Sequence, residues 1–569
     1  MKKLILSVVT YALSELTSSA TRVADICAAR PRMVRVRIAA PLINCRARRS
    51  LLTQWLATHR VASRLRYAIG LLTVFLSLLL TAPTAFAQPA DITADELRNK
   101  IRGAIIGQFF GNLNGLNYEF KYNEQPGSLT SYTPDLSEGA HTDDDTDIEF
   151  PYIYNMKRSE KIYLPYSQVS DIWIRSINDR IWCSNRYARY MMNLGIQPPH
   201  TGRIALNPWA DFNISGQFLC ESFGVISPGM PQTAGRIGTH YTQVAIDGEP
   251  VQATLFFDAV LASAFFESDV MKLVQSGLDS MDEASEQQAI ISNVIRWHRQ
   301  NGDNWRATRQ SIKDTYWNGK YGDPGGSNGY RVTTASTVAA LLHGEGKFVE
   351  TLTLAFNFGW DADNTAAMVG TILGVTHGEQ WLRSQGWKIK DVYRNTHRPG
   401  LPTDLTISSF ADMHVDVARK VILSGGGKEI EIDGQAGYRI VRQKPANVVV
   451  LPQPLHRGGT IRKAWLPKIE EDLTGSLTQK LRAVYIAAAL GLVPEIVAKH
   501  PQEWKAALDA YEVPTGSDSP GAIGVDPNAT PHQTLHWLTN NKMWSSKAKA
   551  YFEDVIVNRN LDPTYPFEL

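Results

Sequence analysis

"ADELRNKIRGAIIGQFFGNLNG", residues 94–115, places Gly103, Gly107, Gly111 and Gly115 four apart along a helical pattern. Glycine costs about 1 kcal/mol per helical position relative to alanine, so four on one stripe need compensation. A ridge without side chains, on which a second backbone can lie, supplies it. Thr93 and Glu96 stand at the start as a T-x-x-E capping box, so the mature chain is expected to open directly with this helix. Far downstream, "DADNTAAMVGTILGVTHG" (361–378) repeats the spacing with Ala366, Gly370, Gly374 and Gly378. Two such ridges can pack face to face and present their polar ends to one site. Taken alone, the glycines are equally satisfied by two close-packed core helices. Arg102, Asn112 and Asn114 interrupt the first run and argue against a helix pair inside a membrane.

The stretches between the ridges are mostly amphipathic helices: 249–268, 285–300, 334–344 and 347–359. A Gly/Pro/Asn-rich loop, "NGKYGDPGGSNGY" (318–330), punctuates them. Strand signal is weak, which predicts an all-α domain over residues 88–425. "SGGGKE" (424–429) marks a change of character. "KEIEIDG", "YRIVRQ" and "ANVVVLP" read as strands, then helices return near 477–500 and 502–511. Residues 426–569 are thus expected to form a smaller mixed α/β accessory region of unassigned role.

The front of the chain has a different character. "AIGLLTVFLSLLLTA" (68–82) follows Arg64 and Arg66 and precedes Ala85 and Ala87 in an A-x-A arrangement, the pattern of a signal peptide cleaved after Ala87. The run is short for a membrane span. The segment before it is long for a leader, so Met33 is a second candidate start, and "RRSLL" (48–52) faintly resembles a twin-arginine signal. A secreted or periplasmic protein is the expectation. Residues 1–87 hold 13 Lys/Arg against 2 Asp/Glu, so the remaining 482 residues carry a net charge near −9 although the whole chain is +2. An acidic mature protein lacks the electrostatic footprint of nucleic-acid binding. Cys183 and Cys220 remain after cleavage; a disulfide between them is open, and two structural cysteines is the preferred reading.

"GAHTDDDTDIEF" (139–150) sets five carboxylates between Asp143 and Glu149. Carboxylates this close repel one another unless something positive sits among them. A calcium loop starting at Asp143 fails, with Ile148 where the turn needs glycine and Tyr154 where a bidentate glutamate is needed. An all-oxygen cluster still favours a hard cation such as Mg²⁺, Ca²⁺ or Mn²⁺. Asp361 and Asp363 open the second glycine helix, where Asp363 is expected to cap it. Together the two clusters could hold two divalent ions about 3.5–4 Å apart.

Three stretches, "GAIIGQFFGNLNGLNYEF", "TDDDTDIE" and "GWDADNTAAMVGTILG", resemble in order the signatures of the ADP-ribosylglycohydrolase family. The resemblance spans residues 95–385 and is specific in combination. It implies an orthogonal all-α bundle with a dinuclear Mg²⁺ or Mn²⁺ centre that hydrolyses bonds at the anomeric carbon of ADP-ribose, on a small-molecule or ADP-ribosylated substrate. The implied ligands are Thr142, Asp143 and Asp144, or Asp143 to Asp145 one residue on, with Asp361, Asp363 and either Asn364 or Thr365. Glu119 matches the family's mobile acidic residue, and Glu119 and Asp144 are the implied catalytic carboxylates. His240 and Trp360 are weaker candidates for contacting substrate, with Phe358 beside Trp360 as an adenine-stacking surface. Two positions depart from the family pattern: Asn112 replaces an aspartate in the glycine helix, and Asn364 replaces the threonine of the last motif. An N-glycosidase acting on another sugar or nucleoside, or a member that binds without turnover, are the alternatives.

Overall fold

In the computed structural model, which describes residues 89–449, 454–514, 524–540 and 546–558, the first glycine helix spans Ala94–Gly115. Thr93 caps it, its hydroxyl accepting from the Glu96 amide at 3.1 Å. The helix is not the first element, however: Ala90–Thr93 is a strand. The expected leader features (the apolar run 68–82, cleavage at Ala87, the start at Met33 and the arginine pair 48–49) lie outside the described residues.

The second glycine helix runs from Ala362 to Ser384 and breaks at Gly378, whose φ is +80°. The two helices lie antiparallel with their backbones touching. A Cβ on Gly103 would sit 2.3 Å from the Gly374 carbonyl oxygen, and one on Gly107 2.0 Å from that of Gly370. One on Gly111 would meet the Ala366 oxygen at 2.0 Å, and one on Gly115 the Cα of Asp363 at 2.5 Å. Any side chain on this stripe separates the two backbones, so the four glycines fix both the distance and the register. Around the contact, the helix Ile407–Ser424 packs against the first glycine helix. The Arg102 guanidinium pins it there, 2.8 Å from Asp412 and 3.4 Å from Glu379, while Phe410 meets Phe109 and Tyr393 at ring centroids 5.7 and 4.6 Å apart.

The predicted amphipathic helices form over Glu249–Ala264, Glu286–Asn301, Tyr330–Gly344 and Phe348–Phe358. Two small parallel pairings matter for position. Asp135–Leu136 pairs with Lys388–Ile389, and Ala140–His141 pairs with Tyr393–Arg394. They tie the acidic stretch to the chain that leaves the second glycine helix.

After residue 425 the strands Lys428–Ile432 and Gln435–Ile440 form a hairpin, and the second pairs antiparallel with Ala90–Thr93, Ala90 opposite Ile440. Residues 446–449, expected to begin a strand, are irregular, and 450–452 lie outside the described residues. Helices follow at Leu477–Ala489, Val493–Lys499 and Pro501–Asp509. They reach back across the 425 position to the helix Cys183–Asn193. The Tyr485 hydroxyl donates to that of Tyr187 at 3.2 Å, the Tyr187 hydroxyl donates to the Leu538 carbonyl at 2.6 Å, and Trp537 stacks on Tyr190 at 4.0 Å. Residues 86–569 accordingly cluster as one unit. Cys183 and Cys220 are both free thiols.

One feature of the interior costs stability. Glu149, Glu221 and Asp258 are all buried near one another, and among their six oxygens only Glu149 Oε1 has a well-formed hydrogen bond, from the Ser222 amide at 3.0 Å. Burial, and then the neighbouring carboxyls, raise Glu221 and Asp258 well above the ordinary range; burial raises Glu149 to about 8. These groups hold protons in the fold that the unfolded chain releases above about pH 4.5.

Two predictions come from this packing. Gly107→Ala forces a methyl into the Gly370 carbonyl and should cost at least about 1–3 kcal/mol, the usual penalty of overpacking, read as a lower midpoint in urea unfolding. Because raised carboxyl pKa values favour the fold only while it stays protonated, stability should fall as pH rises from about 4.5 toward 8. Glu149→Gln keeps the acceptor for Ser222 and loses the proton, so thermal melts across that range should show a shallower fall, by several degrees.

Candidate metal centre

The acidic run 143–149 does not stay together. Asp143 takes the cap position of the short helix Asp144–Asp147. Its Oδ2 accepts from the Asp145 amide at 3.3 Å and from Asn112 Nδ2 at 2.9 Å. Asp147 turns inward to a fully buried ion pair with Arg398 at 2.8 Å, and its other oxygen accepts from the Tyr393 hydroxyl at 3.0 Å. Glu149 faces the interior cluster already described. The positive charge expected among five carboxylates is thus an arginine for one of them, and the protein interior neutralises another by protonation. Asp143, Asp144 and Asp145 are left, and all three line a cavity of about 510 Å³.

The second glycine helix delivers the facing carboxylates. Asp361, not Asp363, occupies its cap position, with ψ of +77°. This corrects the expected capping role: Asp363 sits in the first turn and turns its carboxylate to the cavity, against Gly115. Carboxylate oxygens of Asp143, Asp145 and Asp363 lie within 4.8 Å of one another, and so do those of Glu119, Asp361 and Asp363. Asp363 belongs to both groups. No lysine or arginine bridges either one among the described residues. Burial, then neighbouring carboxylates, raises Asp144, Asp145 and Asp361 well above the carboxylate range, and Asp363 to about 6. Glu119 opens onto the cavity, yet lost hydration and the charges of Asp363 and Asp143 push it up to about 8.

The donor set fits hard divalent cations. It is all oxygen, and Asp363 Oδ1 and the Thr365 hydroxyl are buried without a hydrogen-bond partner. That separates the two alternatives at the end of the motif. Asn364 is occupied: its Nδ2 donates to Asp145 Oδ1 at 3.2 Å, and its Oδ1 accepts from Gln217 Nε2 at 2.6 Å. Thr365 has the free oxygen. Thr142 points elsewhere, its hydroxyl accepting from the Thr396 amide at 2.9 Å, and it is not among the cavity-lining side chains. The three-aspartate register Asp143 to Asp145 is the one that faces the cavity.

Neither weaker candidate for substrate contact reaches this cavity. His240 stacks on Tyr166 at 4.5 Å with Nε2 at 2.9 Å from the Leu164 carbonyl. Trp360 is fully buried under the Arg309 guanidinium, 4.3 Å from its ring centroid, and Phe358 packs on Trp305. Trp360 serves the core, because ring burial outweighs the proximity in sequence that put it beside Asp361, and His240 is held half-buried between Tyr163 and Tyr166. Sequence reading missed the groups that orient the ligands: Gln217 through Asn364, and Arg398 and Tyr393 beside the acidic run. It also missed the cavity wall of Arg180, Trp182, Asn185 and Tyr321. None carries a local signature, since each is dozens to hundreds of residues from the motifs it serves.

A search of curated proteins found no match to this chain. A family model described as ADP-ribosylglycohydrolase matches residues 93–409, more than half of the chain. That span contains both glycine helices, the acidic run and every carboxylate of the two groups. The helical architecture, the order of the three motifs and the matched span together place this chain in the ADP-ribosylglycohydrolase family.

Proposed function

We propose that this protein is a metal-dependent hydrolase that cleaves the glycosidic bond at the anomeric carbon of ADP-ribose or a related ribosyl conjugate, using two divalent cations, Mg²⁺ or Mn²⁺. The observation that carries this reading is the pair of three-carboxylate groups sharing Asp363 on the floor of one cavity. When bound, such ions supply positive charge that orients sugar hydroxyls and acidifies water. Asp143, Asp145 and Asp363 would hold one, and Glu119, Asp361 and Asp363 the other, with Thr365 in reserve.

The side chains account for the remaining needs of the reaction. Water adds to the anomeric carbon, the bond to the leaving group breaks, and the leaving group takes a proton. Glu119, open to the cavity at the edge of the second group, is placed to give or take that proton while it is not engaged by an ion. Asp144 lines the same wall and is the second carboxylate available. As the bond breaks, positive charge develops on the sugar ring, and a ring of fixed carboxylates stabilises it. Asn112 and Asn364 hold Asp143 and Asp145 in place, so little reorganisation is needed.

The signal-peptide pattern at residues 64–87 supports export to the periplasm or beyond. Residues 426–569 are proposed as an accessory region that braces the catalytic part through the contacts on Cys183–Asn193.

Asp363→Ala removes the oxygen common to both groups. Metal affinity should drop by at least about 100-fold in Mn²⁺ titration calorimetry, with glycohydrolase activity lost, while the fold persists by circular dichroism. Protons compete with metal at Asp363, near 6, and at Glu119, near 8, so wild-type affinity should climb as pH rises across that interval. Glu119→Gln should flatten the upper half of the climb. An affinity independent of pH would count against both carboxylates as ligands.

A further inference from the structure

The helix Trp305–Tyr316 contributes nothing to the cavity lining, yet one of its faces holds the chain that follows Glu119. Arg306, Arg309 and Lys313 are spaced three and four apart, so their side chains share that face. A cationic stripe on a helix usually faces water. Here all three cations donate to main-chain carbonyls of residues 122–127. Arg306 Nη2 reaches the Gly127 oxygen at 3.5 Å; Lys313 Nζ reaches the Glu124 carbonyl at 2.6 Å and its carboxylate at 2.8 Å.

Arg309 goes further, because it binds two segments at once. It is fully buried. Its Nη2 donates to the carbonyls of Tyr122 at 2.7 Å and Asn123 at 2.8 Å, and its Nη1 to that of Glu124 at 3.4 Å. On the other side, Nε donates to the Phe358 carbonyl at 3.3 Å, and the Trp360 ring closes over the guanidinium. The first segment begins three residues after Glu119, and the second ends one residue before Asp361. None of these acceptors is a carboxylate, so neutralising an acid is not what the buried charge does. A planar fork of N–H groups on fixed carbonyls sets the distance and angle between two backbones.

The junction held by those bonds is strained. Phe120, exposed at the cavity mouth, has φ of +52°, and the buried Trp360 has φ of +55°. Each is an aromatic residue in a conformation natural to glycine, and each adjoins a carboxylate of the second group. The Phe120 amide donates to the Trp360 carbonyl at 2.7 Å and joins the two strained residues directly. At Gly359 the segments come so close that a Cβ would lie 2.2 Å from the Tyr122 oxygen. Such strain persists only where the surroundings over-determine it, and it gathers at functional sites.

Resting on the two-ion reading above, we infer that Arg309 is a positioning residue for the second carboxylate group: by gripping the two backbones that carry Glu119 and Asp361, it sets the separation of their carboxylates. Asp143 and Asp145 are held instead by Asn112 and Asn364, so the first group is independent of Arg309.

The test compares the full chain with Arg309→Lys, which keeps a charge and cannot span both segments, in Mn²⁺ titration calorimetry. The variant should lose about tenfold or more in affinity for one of two Mn²⁺ ions and hold the other within about twofold. A role in packing alone would lower the melting temperature and treat both ions alike, so equal effects on the two ions, or none, overturn the inference. Lys313→Ala, at the outer end of the same face, should weaken the same ion by a smaller factor. It decides the matter in the same way if Arg309→Lys does not fold. Hydrogen exchange of the metal-free protein supplies a readout independent of ions. In either variant the Phe120 amide should exchange faster, by about tenfold for Arg309→Lys, with the amides of the two glycine helices unchanged. Should the wild-type chain take up fewer than two Mn²⁺ ions, the two-ion reading fails and exchange decides alone: faster exchange at Phe120 upholds the role of Arg309, and unchanged exchange ends it.

Discussion

The contact between two bare helix backbones is the constraint on which the rest depends. Gly103, Gly107, Gly111 and Gly115 meet Gly374, Gly370, Ala366 and Asp363 in turn, each position too close for a Cβ. Because the last contact falls on Asp363 itself, the packing of the helices and the placement of the shared carboxylate are one event. Asn112, one residue after Gly111, reaches Asp143 for the same reason. A slip of one helical turn would keep the glycine stripes apposed in part and lose the site altogether.

The acidic run shows how a fold distributes charge that a sequence merely concentrates. Asp147 receives Arg398, Glu149 is sent to a protonated interior, and Asp143 to Asp145 face the cavity without a cation from the protein. Leaving the last three together is costly, since like charges at low hydration repel strongly. Perturbed carboxyls gathered on a cavity floor are the usual sign of a site that spends stability on chemistry. The interior cluster of Glu149, Glu221 and Asp258 has raised proton affinities as well, yet its side chains are fully buried. Perturbation alone therefore does not locate a site; perturbation with access does.

Regions remote in sequence complete the cavity. The hairpin after residue 425 pairs with the strand that precedes the first glycine helix, and Trp537, Leu538 and Tyr485 hold the helix Cys183–Asn193. That helix begins at the mouth, where Cys183 and Asn185 line the wall. The segment expected to be an accessory region is thus in contact with the site's supports.

Local pattern determined much of this protein. The spacing of glycines gave both helices within a few residues, the weak strand signal gave an all-α body, and the pairing of TDDD with DADNT gave every carboxylate of the two groups except Glu119, which only the family resemblance pointed to. These were legible because helical period, capping chemistry and like-charge density act over a few neighbouring residues. What the pattern could not settle needed partners from far away. Asn364 rather than Thr365 is saturated because Gln217 and Asp145 come to it, and Thr142 lies off the cavity lining with its hydroxyl accepting from the Thr396 amide. Trp360 and His240 look free in the sequence, but Trp360 is packed in the core and His240 is half-buried against Tyr166. The mouth of Phe120, Trp182 and Tyr321 has no sequence signature at all, because three loops separated by as many as 200 residues meet only when the tertiary structure closes.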